Sequence, residues 1–147
     1  MKLQLKDWTV GHKDDRDSQV SDSMPARVPG GVQLDYARRH GWGDYHYADN
    51  VRRFEALEEK YWLYGAAVSL PQDADGKDIF LVAKGIDYEF EIFLDKKRIW
   101  AQEGMFTPVE IDLTSGVKNN SLIEILIHPA PKRPAPHPHE ELSSDPV

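Results

Sequence analysis

The sequence predicts an all-β chain folded as an antiparallel jelly-roll sandwich with one or two short helices, and three observations predict it. Short apolar stretches follow one another from Tyr61 to Ile127 with turn formers between them, the pattern of closely spaced strands. Two of these stretches alternate: Tyr88, Phe90, Ile92 and Leu94 are interleaved with Glu89, Glu91 and Phe93, and Val109, Ile111 and Leu113 with Glu110 and Asp112. Successive strand side chains point to opposite faces, so a period of two marks a sheet with one buried side. Finally, the second half has no helical crossover of the kind that joins parallel strands, which leaves antiparallel pairing.

Taken in chain order, residues 11–26 are mostly polar, with Asp14, Asp15, Arg16, Asp17 and Ser18 in a row, and read as an exposed segment. Pro29-Gly30-Gly31 is a turn, and Val32 to His40 is one helical segment stopped by Gly41. Asn50 suits the N-cap of a second helix, because its side-chain oxygen accepts a bond from a free first-turn amide. Val51, Phe54 and Leu57 then share one face of that helix. Tyr61 to Leu70 reads as a buried strand ended by Pro71, Gln72 to Lys77 as a turn, and Ile79 to Lys84 as a short strand. Along Tyr88 to Leu94 the apolar set faces inward, with Glu89 and Glu91 on the solvated side. Asp95 to Arg98 is a charged turn, Ile99-Trp100-Ala101 restarts a strand, and Val109 to Leu113 is another. Asn119-Asn120 is a turn, since Asn tolerates the left-handed region, and Leu122 to Ile127 is the last strand.

Past His128 the composition changes: Pro129, Pro131, Pro134, Pro136 and Pro138 alternate with other residues. Proline has no amide donor, so this stretch is excluded from a sheet interior and extends away from it. The expected organisation is one domain over residues 1–128 and a Pro-rich linker or truncated tail over 129–147. A length of 147 residues agrees with a single domain and a single core.

Several function classes are disfavoured by composition. The formal net charge is −7 and the basic residues are scattered, which is not the footprint of a nucleic-acid binder. No apolar run approaches the roughly 18 residues of a membrane span, and the first residues lack the apolar core of a signal peptide, so a soluble chain of open compartment is expected. Cys is absent, which removes disulfides, thiolate nucleophiles and Cys-based zinc sites. His137 and His139 flank one proline, but a metal site needs three or four ligands on a fixed frame, so neither a metal nor another cofactor is expected.

For catalysis, Glu89 and Glu91 invite comparison with the carboxylate pair of a glycosidase. Their alternation with an apolar face instead makes them the wet side of a sheet. No Ser or Thr has a recognisable base neighbour, and no Gly-rich phosphate loop is present, so no catalytic residue is assigned. A loop-like stretch brings Trp42, Tyr45 and Tyr47 together with Asp44, Asp49 and Asn50. Flat aromatic faces with amides and carboxylates suit a sugar, by stacking and by hydrogen bonds to hydroxyls; the same aromatics also suit a plug at one end of a sandwich.

The ordered string Val28-Pro29-Gly30-Gly31-Val32, Leu34-Asp35, Gly41, Asp44-Tyr45, Asn50 and Tyr61-Trp62-Leu63-Tyr64 resembles the opening of glycoside hydrolase family 2 enzymes, especially the β-mannosidase-like branch. Gly85-Ile86-Asp87, Leu94, Gly104-Met105-Phe106, Ile111-Asp112-Leu113-Thr114 and Asn120-Ser121-Leu122 continue the likeness, which runs from about Trp8 to Pro129. Two departures stand out: Leu94-Asp95-Lys96 replaces the usual Leu-Asn-Gly, and Asp44-Tyr45-His46-Tyr47 replaces Asp-Pro-Tyr. The resemblance implies the N-terminal, galactose-binding-domain-like jelly roll of a retaining β-glycosidase of β-mannosidase or β-galactosidase type. It also implies an immunoglobulin-like domain and a TIM barrel as partners within the parent chain, with both catalytic glutamates in that barrel. On this likeness the chain is inactive alone and meets carbohydrate only in the full-length enzyme, through Asn50, Asp44, Trp42 and Tyr47. A free-standing carbohydrate- or protein-binding jelly-roll module is the alternative.

Overall fold

The computed structural model describes residues 3–43 and 46–132. In chain order these form β1 (Thr9–Lys13), β2 (Ser21–Pro25), α1 (Val32–His40), a 3-10 helix (Ala48–Leu57), β3 (Tyr61–Ala67), β4 (Phe80–Ala83), β5 (Glu89–Leu94), β6 (Lys97–Glu103), β7 (Val109–Asp112) and β8 (Leu122–Ile127). A single 3-10 turn, Gln72–Ala74, lies between β3 and β4. All strand pairs are antiparallel: a six-stranded sheet runs β2-β1-β3-β8-β5-β6, and β4 pairs with β7 in a second sheet. The last strand is inserted between β3 and β5, the non-sequential pairing of a jelly roll.

Alternation explains how the sheets pack. Val10, Trp62, Tyr64, Phe90, Ile92 and Ile123 from the large sheet meet Val109 and Ile111 from the small one, and all are buried. Each such side chain contributes roughly 1.5–3 kcal/mol of burial free energy, so this layer is the main stabilising element. Burial also explains why the Tyr64 hydroxyl is pushed well above the usual phenol range, with the Asp35 carboxylate adding to the shift.

The helix α1 has the bounds its sequence predicts. Gly41 ends it at φ 63, in the left-handed region, and the Trp42 amide donates back to the Ala37 carbonyl at 2.8 Å. The buried Asp35 carboxylate accepts from the Arg27 amide at 3.0 Å and from Arg38 Nη1 at 2.9 Å, which fixes α1 against the turn that precedes it.

Three expectations require correction. Residues 11–26 are not simply exposed: they contribute most of β1 and all of β2, with Met24 buried and Gly11 packed where the hairpin doubles back. A Cβ on Gly11 would run into Val20 and come within 2.9 Å of the Ser21 carbonyl. β2 is an edge strand with one buried apolar residue, too few to produce an alternating pattern. Second, Asn50 is not an N-cap. The helix begins at Ala48, is of 3-10 type, and takes the Asn50 amide into a 3.2 Å bond to the Tyr47 carbonyl. Residues three apart eclipse in a 3-10 helix, so Phe54 and Leu57 are buried together, although Val51, one turn earlier on the same face, is exposed. Third, Glu91 does not face solvent. It lies on the outer face of β5, but the β1–β2 connection folds over that face and buries it.

Candidate functional site

The stretch 42–50 leaves α1 through the Gly41 turn and returns into the 3-10 helix. Its neck is closed by packing. The Trp42 ring meets Phe54 edge-on at 5.1 Å between centroids and Tyr36 at 5.3 Å, and Tyr36 also lies 4.1 Å from the His40 ring. His40 Nε2 is in turn 2.6 Å from Asp22 Oδ2. Gly43 lets the Asn50 amide approach, since a Cβ there would lie 3.2 Å from Asn50 Nδ2. Of the four residues expected to meet sugar, Trp42 and Asn50 are half-buried at this neck and Tyr47 is 75% exposed. Asp44 lies outside the described residues, as do Tyr45, His137 and His139. The aromatic shelf under the loop therefore joins Trp42 to α1 and β3, with Trp62 5.9 Å from Tyr36.

A second cluster escaped the sequence reading. Glu91 is gripped by Arg16 from the β1–β2 connection, with Nε to Oε1 and Nη2 to Oε2 both at 2.7 Å. Arg98 Nη1 adds a bond at 3.1 Å to Oε2, and His128 Nε2 lies 3.1 Å from Oε1. In the sheet, β3 and β8 separate β1 from β5, so Arg16 reaches across two strands. The Arg16 bonds hold the Glu91 carboxyl down to about 2, against the opposing effect of burial; Arg98 and His128 add to the lowering. Above the cluster is a cleft of about 460 Å³, lined by Arg16, Glu89, Glu91, Arg98, Gln102 and His128 among others.

Chemically, this arrangement is a clamp. Both Glu91 oxygens accept charged or ring N–H groups, and an ionised carboxylate so engaged is not a proton donor at neutral pH. Glu89, on the same face, is exposed and contacts His128 Nδ1 at 3.4 Å. No sequence signal marks the cluster: Glu91 holds a polar position in an alternating strand, and only the structure shows it buried between Phe90 and Ile92, where a charge requires a partner. Among the described residues no group of three or more His, Cys, Asp or Glu is placed to hold a metal ion, and no helix is long and apolar enough to cross a membrane.

Comparison with solved structures places this fold among glycosidases. The chain is similar to the β-D-mannosidase of Dictyoglomus thermophilum with a TM-score of 0.72 and 24% identity, over 87% of this chain and 16% of that one. It is also similar to the β-glucuronidase of Faecalibacterium prausnitzii (TM-score 0.60, 18% identity, 82% of this chain and 20% of that one). The Ruminococcus gnavus β-glucuronidase gives 0.56 and 17%, over 81% and 19%. The chain thus spans a sixth to a fifth of the length of these proteins, and at such identities the likeness is one of fold. No curated protein matches it in sequence. Residues 8–144, however, match the glycosyl hydrolase 2 galactose-binding domain-like family, and with the jelly roll in place the chain belongs to that family, the N-terminal domain of family 2 glycoside hydrolases.

Proposed function

We propose that this chain is the non-catalytic N-terminal domain of a retaining β-mannosidase- or β-galactosidase-like enzyme, supporting a catalytic barrel and lending the 42–50 loop to its sugar pocket. Residues 1–128 are the domain and 129–147 lead toward the immunoglobulin-like and barrel domains of the parent. The observation that carries this reading is the build of the loop. A rigid aromatic neck holds Trp42 and Asn50 in place while Tyr47 projects, with three-quarters of its surface exposed. Stacking faces and amides are the groups that grip a hexose, and a fixed base limits the entropy lost when they do.

Asn50, Asp44, Trp42 and Tyr47 are the proposed sugar contacts, and nothing in the chain is assigned to bond cleavage. The test is kinetic, in a full-length parent assayed on aryl β-mannosides and β-galactosides. Alanine at Asn50 or Tyr47 lowers kcat/KM if the loop touches sugar; unchanged kinetics in a folded enzyme remove the loop from the pocket. Micromolar binding of mannose by the 147-residue chain itself would instead favour a self-sufficient carbohydrate-binding module.

A further inference from the structure

We infer that His128, together with Glu59 and Lys132, forms an exit clamp that fixes the direction in which the chain leaves β8 and ties that exit to the base of the 3-10 helix bearing Asn50. The first anchor is His128, one residue past β8. Its amide still donates to the Glu89 carbonyl at 2.9 Å, which extends the strand's attachment. Its ring, 15% exposed, lies between Glu91 at 3.1 Å and Glu89 at 3.4 Å and packs on Tyr61 at 5.1 Å between centroids. Glu91 is itself held by Arg16 and Arg98, so the imidazole docks on a carboxylate that two other segments, the β1–β2 connection and β6, keep in place.

The second anchor is Lys132, whose Nζ lies 2.5 Å from Glu59 Oε1. Glu59 sits between Leu57, the last residue of the 3-10 helix, and Tyr61, the first of β3. That junction is itself pinned: Trp62 Nε1 donates to the Leu57 carbonyl at 3.2 Å and the Lys60 amide to the same oxygen at 3.3 Å. Between the anchors run Pro129, Ala130 and Pro131, two of them with φ fixed by the pyrrolidine ring. A short, stiff segment held at both ends is a strut, not a flexible joint. Lys132, through a surface ion pair, therefore lies beside the end of the 3-10 helix. The contacts carry the strut by themselves; only its bearing on a sugar pocket rests on the function proposed above.

The experiment is ¹⁵N relaxation on the complete 147-residue chain, read at the Ala130 and Lys132 amides against those of β8. Both are expected to relax with the folded body, with order parameters near ~0.8, and to fall below about 0.6 in His128→Ala while Ile123 and Ile125 stay unchanged. Glu59→Ala, which removes a mostly exposed surface side chain and leaves the core untouched, is expected to loosen Lys132 and leave His128 rigid. It keeps the test decisive if His128→Ala fails to fold. Free-tail relaxation at Ala130 and Lys132 in the unaltered chain, or no change in either folded variant, overturns the inference. Neither result touches the kinetic test of the loop, so the two readings fail separately.

Discussion

Glu91 is a carboxylate 4% exposed on a strand whose other buried side chains are apolar, and two arginines and a histidine hold it. Removing its charge leaves Arg16 without the partner that draws it across the sheet. Glu91→Gln is therefore expected to lower stability at neutral pH. The magnitude is on the order of 1–3 kcal/mol, less than the acidity shift alone implies because both guanidiniums are about half exposed and screened by water. The sign with pH follows from the carboxyl lying at about 2 in the folded chain against an ordinary 4.5. Its contribution is complete above the ordinary value and is lost as pH falls through the folded one. The stability gap between the parent sequence and Glu91→Gln, measured by urea unfolding, should be widest at neutral pH and close as pH approaches 2. A gap constant with pH would mean that the carboxylate's charge does not hold the β1–β2 connection. None of this was legible in the sequence, because alternation identifies the face a residue occupies but not whether a distant loop covers it. Arg16 sat in a row of polar residues with nothing to mark its reach to β5.

Elements were legible where local chemistry decides them. Val32–His40 and Leu122–Ile127 have the bounds their patterns predict, since Gly41 and the Asn119-Asn120 turn are strong local stops. β1 and β2 were hidden because an edge hairpin with a bulge between Val10 and His12 buries too few apolar residues to show a period. The β5–β6 hairpin offers a test of the local rules. Its register pairs Leu94 with Lys97, so Asp95 and Lys96 form the loop, at φ 49 and 69. Both central residues left-handed is the type I′ geometry, which favours Asn or Asp first and Gly second. Asp95 has further support, since its carboxylate accepts from Ser121 Oγ and the Leu122 amide, both at 2.8 Å. Lys96 bears the left-handed penalty of about 1–2 kcal/mol, against which a glycine loses roughly 0.5–1 kcal/mol of unfolded-state entropy. Lys96→Gly is thus expected to raise stability by about 0.5–1 kcal/mol, read as a higher thermal midpoint. By the same geometry Gly41→Ala should lower it by about 1 kcal/mol although open space surrounds the site, because φ 63 and not crowding sets the penalty.

For the whole molecule, the question is what a domain that matches only 16% of the length of the Dictyoglomus thermophilum β-D-mannosidase does by itself. Retaining hydrolysis needs an acid/base and a nucleophile about 5–5.5 Å apart across one bond. Among the described residues the two buried carboxylates, Asp35 and Glu91, are each committed to arginine, so the 147-residue chain is expected to give no turnover of aryl β-mannosides. Activity that survives repurification and disappears on replacing one of its carboxylates would contradict that. Binding follows from the same incompleteness. A sugar resting on Tyr47 and the Trp42–Asn50 neck would meet one wall of a pocket, with its other hydroxyls still exchanging with water. Its affinity should then be millimolar or weaker, on the order of −4 kcal/mol. In a parent enzyme the opposite wall would exclude that water, and Asn50→Ala should lower kcat/KM by the equivalent of about 1 kcal/mol, a roughly fivefold loss. The backbone makes this a clean comparison. Asn50 donates its amide, and not its side chain, to the first bond of the 3-10 helix, and alanine keeps that bond. A melting temperature nearly unchanged beside a reduced kcat/KM would assign Asn50 to the pocket, whereas a large fall in melting temperature with intact kinetics would assign its side chain to the neck of the loop.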